Sequence, residues 1–509
     1  MWKGDFQVGD DSSHMSWYIE EQQPIYLDYN STTPLDPSVK AAITEGLELW
    51  ANPSSDNPIA RKAKEAIEKA RQSLEKLLHL SSSNVVFTSG GTEANNWVIQ
   101  SAVEQFKSNP KHSAAIPHVI SSVIEHPSIL EPLRYLSGKG FIDLSLLPVN
   151  TTTGQVEPDD IRRLMTPLTC LVTVMLANNE TGVLQPIGEL SDAVRRASNE
   201  HGSSVFIHSD VCQAVGKIDV NINELKVDAI SLAGHKVVNL IIATFSRNGA
   251  FYGPRNGALV TRSKYTTQLM PMLRGGGQQD NLRSGTENTP MIMGLGAAAD
   301  ACDLHKTEEH LRLVRDYFEK QLEARFLLKL PFRSPPVFII SYFSIYYVIV
   351  LLSKRVAFCF ETKTDLRRCG PFVQFFFPVL CLYLLVKKLL SEEKTTSVSL
   401  ILSKNFYLQQ HLPEQHVVNF ASSPRLPNTS SVAFPKYPES SKHLMANPVL
   451  LACGIQRQTA ERTIRFSFGR ETTKEDVDRV VKELKAVLFL AKHGSSLMNV
   501  INAGPVPGF

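Results

Sequence analysis

Two side chains in this sequence have the chemistry and the spacing of a covalent cofactor site. Lys236 closes the run Ser231-Leu-Ala-Gly-His-Lys236, 26 residues beyond Asp210 in His208-Ser-Asp-Val-Cys-Gln213. A lysine amine condenses with an aldehyde to give a Schiff base, and a buried aspartate keeps a pyridine nitrogen protonated. Together they supply the working parts of a pyridoxal phosphate (PLP) site, which stores the charge of a carbanion formed on an amino acid. Each group follows an apolar run, Ser204-Val-Phe-Ile before Asp210 and Val227-Asp-Ala-Ile-Ser-Leu before Lys236, so both are expected at strand ends facing one crevice. Taken alone, a Gly-His-Lys is a solvated turn. A third element changes its meaning: Asn84-Val-Val-Phe-Thr-Ser-Gly-Gly-Thr-Glu-Ala-Asn-Asn-Trp97 reads as strand, small-residue loop, then helix. Ser89, Gly90, Gly91 and Thr92 let backbone N–H groups and a hydroxyl approach a phosphate at the positive end of that helix.

The elements that must position these groups follow from hydrophobic alternation. Apolar strands are expected at 85–88, 118–123, 171–176, 204–208 and 227–232, alternating with helical stretches at 57–79, 91–106, 185–200 and 290–325. That pattern predicts the α/β class, a mainly parallel sheet with helices on both faces. Strands near 430 and 464 and a helix from Lys474 to about Lys492 predict a smaller α+β domain closing over the site. The expected organisation is an N-terminal extension (1–23), a large cofactor-binding domain (24–325), an atypical hydrophobic insertion (326–407), the small domain (408–495) and a tail (496–509).

Further motifs lie in fixed order along the chain: Tyr26-Leu-Asp-Tyr-Asn-Ser-Thr-Thr-Pro34, Asn52-Pro-Ser-Ser55, Val123-Ile-Glu-His-Pro127, Ala177-Asn-Asn-Glu-Thr-Gly182, Phe251-Tyr-Gly-Pro-Arg255, Arg274-Gly-Gly-Gly277, Arg283-Ser-Gly-Thr-Glu-Asn288 and Ile464-Arg-Phe-Ser-Phe-Gly-Arg-Glu-Thr-Thr473. With the three segments above they resemble the cysteine desulfurase family of class V aminotransferases, fold-type I PLP enzymes, over roughly 26–325 and 418–490. The resemblance implies a fold-type I transferase with a seven-stranded sheet. It also implies cleavage of selenium or sulfur from a free amino acid, L-selenocysteine or L-cysteine, leaving alanine. Lys236 would be the Schiff-base lysine and proton shuttle, Asp210 the partner of the pyridinium nitrogen, and His126 the catalytic residue stacked on the ring. Gln213 and Asn179 would hydrogen-bond the ring hydroxyl, while Gly91, Thr92 and His235 would hold the phosphate. Thr286 would reach the phosphate of a neighbouring subunit, which implies a homodimer. Arg465 would grip the substrate carboxylate as a two-point fork.

The chain departs from the family pattern in ways that bear on function. Ala233 stands where the family often has a serine. Residues 237–250 intervene between Lys236 and Phe251, where the family runs straight on. A looped-out insertion need not unfold the domain, but it could loosen the aim of Lys236. The family's chalcogen-accepting cysteine belongs between segments like Arg425–Phe434 and Asn447–Gly454, yet Pro435–Ala446 contains none. Cys453, in a helix-like apolar context, reads as an inert small hydrophobe. An active enzyme, a desulfurase and a PLP-binding variant that has lost turnover therefore remain open. Loss of the thiol should hurt cysteine turnover more than selenocysteine turnover.

Composition sets wider bounds. A net charge of +3 predicts no nucleic-acid partner, and seven cysteines without paired or metal-like spacing suit a reducing compartment and predict no metal. Met1–Gln23 shows neither an apolar signal core nor an arginine-rich amphipathic pattern, so a cytosolic location is expected. Between 326 and 407, which holds 11 of the 25 phenylalanines, the resemblance stops. The apolar runs Val337–Leu352 and Phe372–Val386 fall short of the roughly 18–20 residues a bilayer span needs, leaving shallow membrane contact through 337–386 as the alternative to an insertion of translated non-coding sequence.

Overall fold

The computed structural model describes residues 24–80, 83–236, 253–262, 269–326, 416–435, 446–485 and 487–488. The insertion 237–250, the hydrophobic stretch beyond Phe326, the terminal segments 1–23 and 496–509 and most of the cysteine-free Pro435–Ala446 segment lie outside them.

The centre is a seven-stranded sheet of β1 (Ser83–Thr88), β2 (His118–Ser122), β3 (Asp143–Leu147), β4 (Thr169–Thr173), β5 (Phe206–Asp210), β6 (Ala229–Ala233) and β7 (Gly257–Arg262), in the order β1-β7-β6-β5-β4-β2-β3. β6, β5, β4, β2 and β3 pair in parallel, while β7 runs antiparallel to both β1 and β6. The mainly parallel α/β expectation is met. Alternate residues explain why both faces are covered, since successive side chains on a strand point to opposite faces. Val85, Phe87, Val172, Ile207 and Ile230 join one core with α2 (Pro58–Leu77), α6 (Ile187–His201) and α8 (Thr289–Asp300). Val86, Leu171, Phe206 and Ala229 join another with Trp97 and Val98 of α3 (Gly91–Ser108) and Ile129 and Leu133 of α4 (Pro127–Gly138). Trp97 is fully buried and its indole N–H donates to the Met270 carbonyl at 2.7 Å, so its one polar atom is satisfied.

The expected single helix over 290–325 is two, α8 and α9 (Leu304–Phe326). The chain breaks at 301–303, and the Asp303 carboxylate accepts the Lys306 N–H at 3.2 Å to start the second helix. α9 carries Val314, Phe318 and Leu322 into a third core with Val432, Phe434, Phe466, Phe468, Val477 and Val481. There a three-stranded antiparallel sheet forms from β8 (Val417–Val418), β9 (Thr429–Ala433) and β10 (Thr463–Ser467), in the order β10-β9-β8. The chain is also helical over 474–485. Among the described residues no helix is long and apolar enough to cross a membrane; residues 337–386 lie outside that statement.

Candidate active site

A cavity of about 220 Å³ opens where the parallel strands end, the position at which open α/β sheets bind ligands. Its wall includes Gly91, Thr92, His126, Asn179, Asp210, Gln213, His235 and Lys236. Eight of the ten residues singled out from sequence therefore converge on one space. Arg465 lies beside it, bonded through its guanidinium to the Asn179 carbonyl at 3.0 Å and to the hydroxyl of Ser31, another wall residue, at 2.9 Å. Thr286 is exposed and is not part of the wall.

Asp210 closes β5 and is buried. Its two oxygens accept from the Cys212 backbone N–H at 2.9 Å and the Asn95 amide at 2.8 Å. Burial pushes its carboxyl up, but those hydrogen bonds and the Lys236 charge outweigh it and hold the group below the usual carboxylate range. The result is a buried carboxylate that stays ionised and faces a lysine. The Asn95 amide also donates to the Ser128 hydroxyl at 2.9 Å, and that hydroxyl lies 2.7 Å from His126 Nδ1. Because the Ser128 backbone N–H donates to the same Nδ1 at 3.1 Å, this nitrogen must be an acceptor. His126 is thus a neutral imidazole with its proton on Nε2, the form that burial and the Lys236 charge also favour by lowering its pKa.

Lys236 ends a single 3-10 turn, Gly234–Lys236, directly after β6. Its neighbour is tethered from the opposite side: the N–H and hydroxyl of Thr33 donate to the His235 carbonyl at 3.1 and 2.9 Å. His235 is held near pKa 4 by burial and by the Lys236 and Arg255 charges, so it too is neutral. The described residues on either side of 237–252 meet. Gly234 N–H donates to the Asn256 carbonyl at 2.8 Å, and a Cβ on Gly253 would sit 2.4 Å from the Gly234 oxygen. The Lys236 turn is thus held by contacts with described residues, Thr33 on one side and Gly253 and Asn256 on the other.

At the other end of the cavity, Gly91 begins α3, whose first N–H groups have no intrahelical partner. A Cβ at Gly91 would lie 2.8 Å from the Cys212 sulfur, so only glycine leaves the approach open. Glu93 in the first turn bonds Arg283 at 2.9 Å and accepts the Ser89 N–H at 2.9 Å, which orders the loop. The wall thus offers N–H groups at a helix start, a hydroxyl, an ionised carboxylate, a flat neutral imidazole and a lysine amine. That donor set fits a phosphorylated pyridine aldehyde.

Arg465 projects from β10 and is already engaged: one arm bonds Glu180 at 2.7 Å and the other Asp28 at 2.6 Å. Glu180 belongs to a tight turn in which the Asn178 side-chain oxygen accepts the N–H groups of Glu180 and Thr181, both at 2.9 Å. Gly182 closes the turn at φ +74°, and a Cβ there would strike Thr429 at 2.8 Å. Cys453 is buried in the first core and its thiol is pushed up to about 12 by burial. Burial raises Cys170 and Cys302 to about 12 as well, and burial with the Asp210 charge lifts Cys212 further. None of the four described thiols is ionised at neutral pH. Sequence reasoning missed Asn95, Ser128, Glu180 and Asp28. Of these, Asn95, Glu180 and Asp28 lie inside the motifs already singled out, which was the available signal.

The aminotransferase class-V family matches residues 25–336. The chain is 36% identical to the selenocysteine lyase of Xenopus tropicalis, over 91% of this chain and 92% of that one. It is 37% identical to the selenocysteine lyase of Bos taurus, over 91% and 93% respectively. The cysteine desulfurase IscS of Dictyoglomus turgidum is 37% identical over 60% of this chain and 71% of its own length. A solved NifS-like protein superposes with a TM-score of 0.65 at 25% identity, covering 92% of this chain and 99% of its own. Fold, site geometry and likeness agree: the chain is an enzyme of the class-V aminotransferase family, in the group that includes selenocysteine lyases and cysteine desulfurases.

Proposed function

We propose that this chain is a PLP-dependent lyase that decomposes L-selenocysteine to L-alanine and a reduced selenium species, the two electrons that take selenium from the elemental to the selenide level coming from an external thiol reductant. The observation that carries the reading is the pairing of an ionised, buried Asp210 with Lys236 across one cavity in which no described thiol is ionised. PLP, when bound, supplies an electron sink for charge released at the substrate Cα. Asp210 would hold the proton on the pyridine nitrogen that keeps the sink effective. Lys236 Nζ would hold the group covalently and, once free, would carry the proton of the substrate Cα. His126, fixed as the Nε2–H tautomer, would flank the ring, and Gly91, Thr92 and His235 would hold the phosphate. Gln213 and Asn179 would serve the ring oxygen. Arg465 exchanges a carboxylate it already holds, Asp28 or Glu180, for that of the substrate, so little charge is newly desolvated on binding.

Selenocysteine is the preferred substrate for a chemical reason. The bond from selenium to carbon is weak, so Cβ can keep its electron pair, take a proton and expel selenium at the elemental level without a protein acceptor, whereas sulfur needs a thiolate to receive it. The described thiols do not provide one. Likeness to the two selenocysteine lyases over most of the chain supports the same choice. Thr286, which is exposed, would serve a neighbouring copy in a homodimer, and the cytosol is the location this reading carries. Borohydride reduction of the PLP-loaded chain followed by peptide mapping tests the reading. The added mass is expected on Lys236 alone, and a label elsewhere, or none, overturns the assignment.

A further inference from the structure

Lys217 is a buried cation-forming side chain that the mechanism above does not use. It is 0% exposed, and its Nζ donates to the side-chain oxygens of Gln213 at 2.8 Å and Asn30 at 3.0 Å. Neither partner is charged. A full-length lysine in a protein core without a carboxylate is costly, so its placement four residues beyond Gln213 and eighteen before His235 calls for a reason.

The hydrogen bonds around it supply one. A carboxamide can turn over by 180°, exchanging its acceptor and donor ends, and only its partners decide which end faces where. Lys217 takes the Gln213 oxygen. The Gln213 nitrogen gives one hydrogen to the Asn30 backbone carbonyl at 2.9 Å and has a second to offer. Asn30 is fixed in the same way. Its oxygen also accepts from Asn428 at 3.2 Å, and its nitrogen donates to the Asn179 carbonyl at 3.0 Å and the Thr429 hydroxyl at 2.9 Å. Turning the Gln213 amide over would set an N–H against the lysine donor and an oxygen against a carbonyl, losing two buried hydrogen bonds at once.

We infer that Lys217 is a positioning residue that locks the Gln213 amide with its oxygen turned towards the lysine and its remaining N–H available to the cavity. The assignment rests on the PLP reading, because that N–H is the donor expected to meet the ring oxygen. Burial, with the Lys236 and Arg465 charges, holds the Lys217 amine well below the usual lysine range. A neutral amine still has donors for both oxygens, and it adds no positive charge beside the amine of Lys236.

A hydrogen bond given to the ring oxygen favours its anionic form, so losing it raises the pH at which the visible absorbance of the bound cofactor titrates. The experiment is that titration on PLP-loaded wild type, Lys217→Met, Gln213→Ala and the double variant. We expect Lys217→Met and Gln213→Ala to raise the midpoint by a similar amount, about one pH unit, and the double variant to go no further, since both changes remove one donor. A wild-type midpoint in Lys217→Met that carries cofactor, or additive shifts in the double variant, overturns the inference, because a purely structural lysine would change melting temperature and cofactor content instead. If Lys217→Met does not fold, Lys217→Gln, with a shorter arm, is expected to give an intermediate midpoint, and the wild-type value there overturns the inference equally. Absence of any cofactor absorbance in wild type would instead refute the PLP reading itself.

Discussion

The two ends of the site are built differently. On the cofactor side, Asp210, Asn95, Ser128 and His126 form one buried chain of hydrogen bonds in which every donor and acceptor role is forced, and the Lys236 turn is pinned by Thr33 and Asn256. On the proposed substrate side, Arg465 is held by two carboxylates, one of which would give way to the substrate, and each described thiol is protonated. The difference teaches that this chain is preorganised to activate an amino acid and is not organised, in its described parts, to receive sulfur on a protein thiolate. Polar groups in low dielectric are costly unless satisfied, so a buried hydrogen-bonded chain on one side marks the place where charge is handled, although the Asn95 side-chain oxygen has no partner in it.

The largest break in this comparison comes from Arg465→Ala. Removing the fork leaves Asp28 and Glu180 near an empty position and takes away the carboxylate grip. kcat/KM for L-selenocysteine is expected to fall roughly 10²-fold, mainly through KM. Arg465→Lys should recover only part of it, since an ammonium cannot make both bonds. Steady-state alanine release over a range of substrate concentrations checks this, and an unchanged KM would remove Arg465 from the site.

A stability effect of intermediate size sharpens the cofactor side. Glu125, next to His126, is fully buried; burial, reinforced by the Asp210 charge, raises it to about 8 although Ser122 and the Met175 N–H donate to it. The folded chain therefore keeps a proton here that the unfolded chain releases above its ordinary carboxyl pKa. Stability is lost as pH rises from about 4.5 towards 8, by about 5 kcal/mol at most. Glu125→Gln, neutral at every pH, should flatten that loss in urea unfolding of the cofactor-free protein at pH 5 and 8. An equal pH dependence in variant and wild type would mean that Glu125 ionises in the fold.

Much of this was legible in the sequence, for reasons that can be named. Asp210 and Lys236 announce themselves because each ends an apolar run, and the α/β alternation follows from periods of two and of 3.6 residues. β7 was not legible as an edge-reversing strand, because its pairing with β1 joins residues distant in sequence, Phe87 with Ala258 for instance. The break at 301–303 was hidden by apolar residues on both sides, although Asp303 carried the capping signal. Lys217 follows a glycine and carries no signal in the sequence, and only burial against two amides reveals it.

The smallest expected effect is that of Cys453→Ser. The thiol is buried and protonated in a hydrophobic core, so alanine release from L-selenocysteine should stay within about twofold of wild type, with some loss of stability from placing a hydroxyl in that core. A large loss of turnover in folded, PLP-loaded protein would place Cys453 in the chemistry and undo the contrast drawn above.

The most direct test of the account is alanine release by the purified, PLP-loaded chain from L-selenocysteine and L-cysteine in parallel, with Lys236→Ala as the blank. The account predicts release from selenocysteine well above both the blank and the cysteine rate. Equal release from both substrates would show that a thiolate outside the described residues receives sulfur, and release from neither, with PLP bound, would show a cofactor-binding relative without the chemistry; either result contradicts the account.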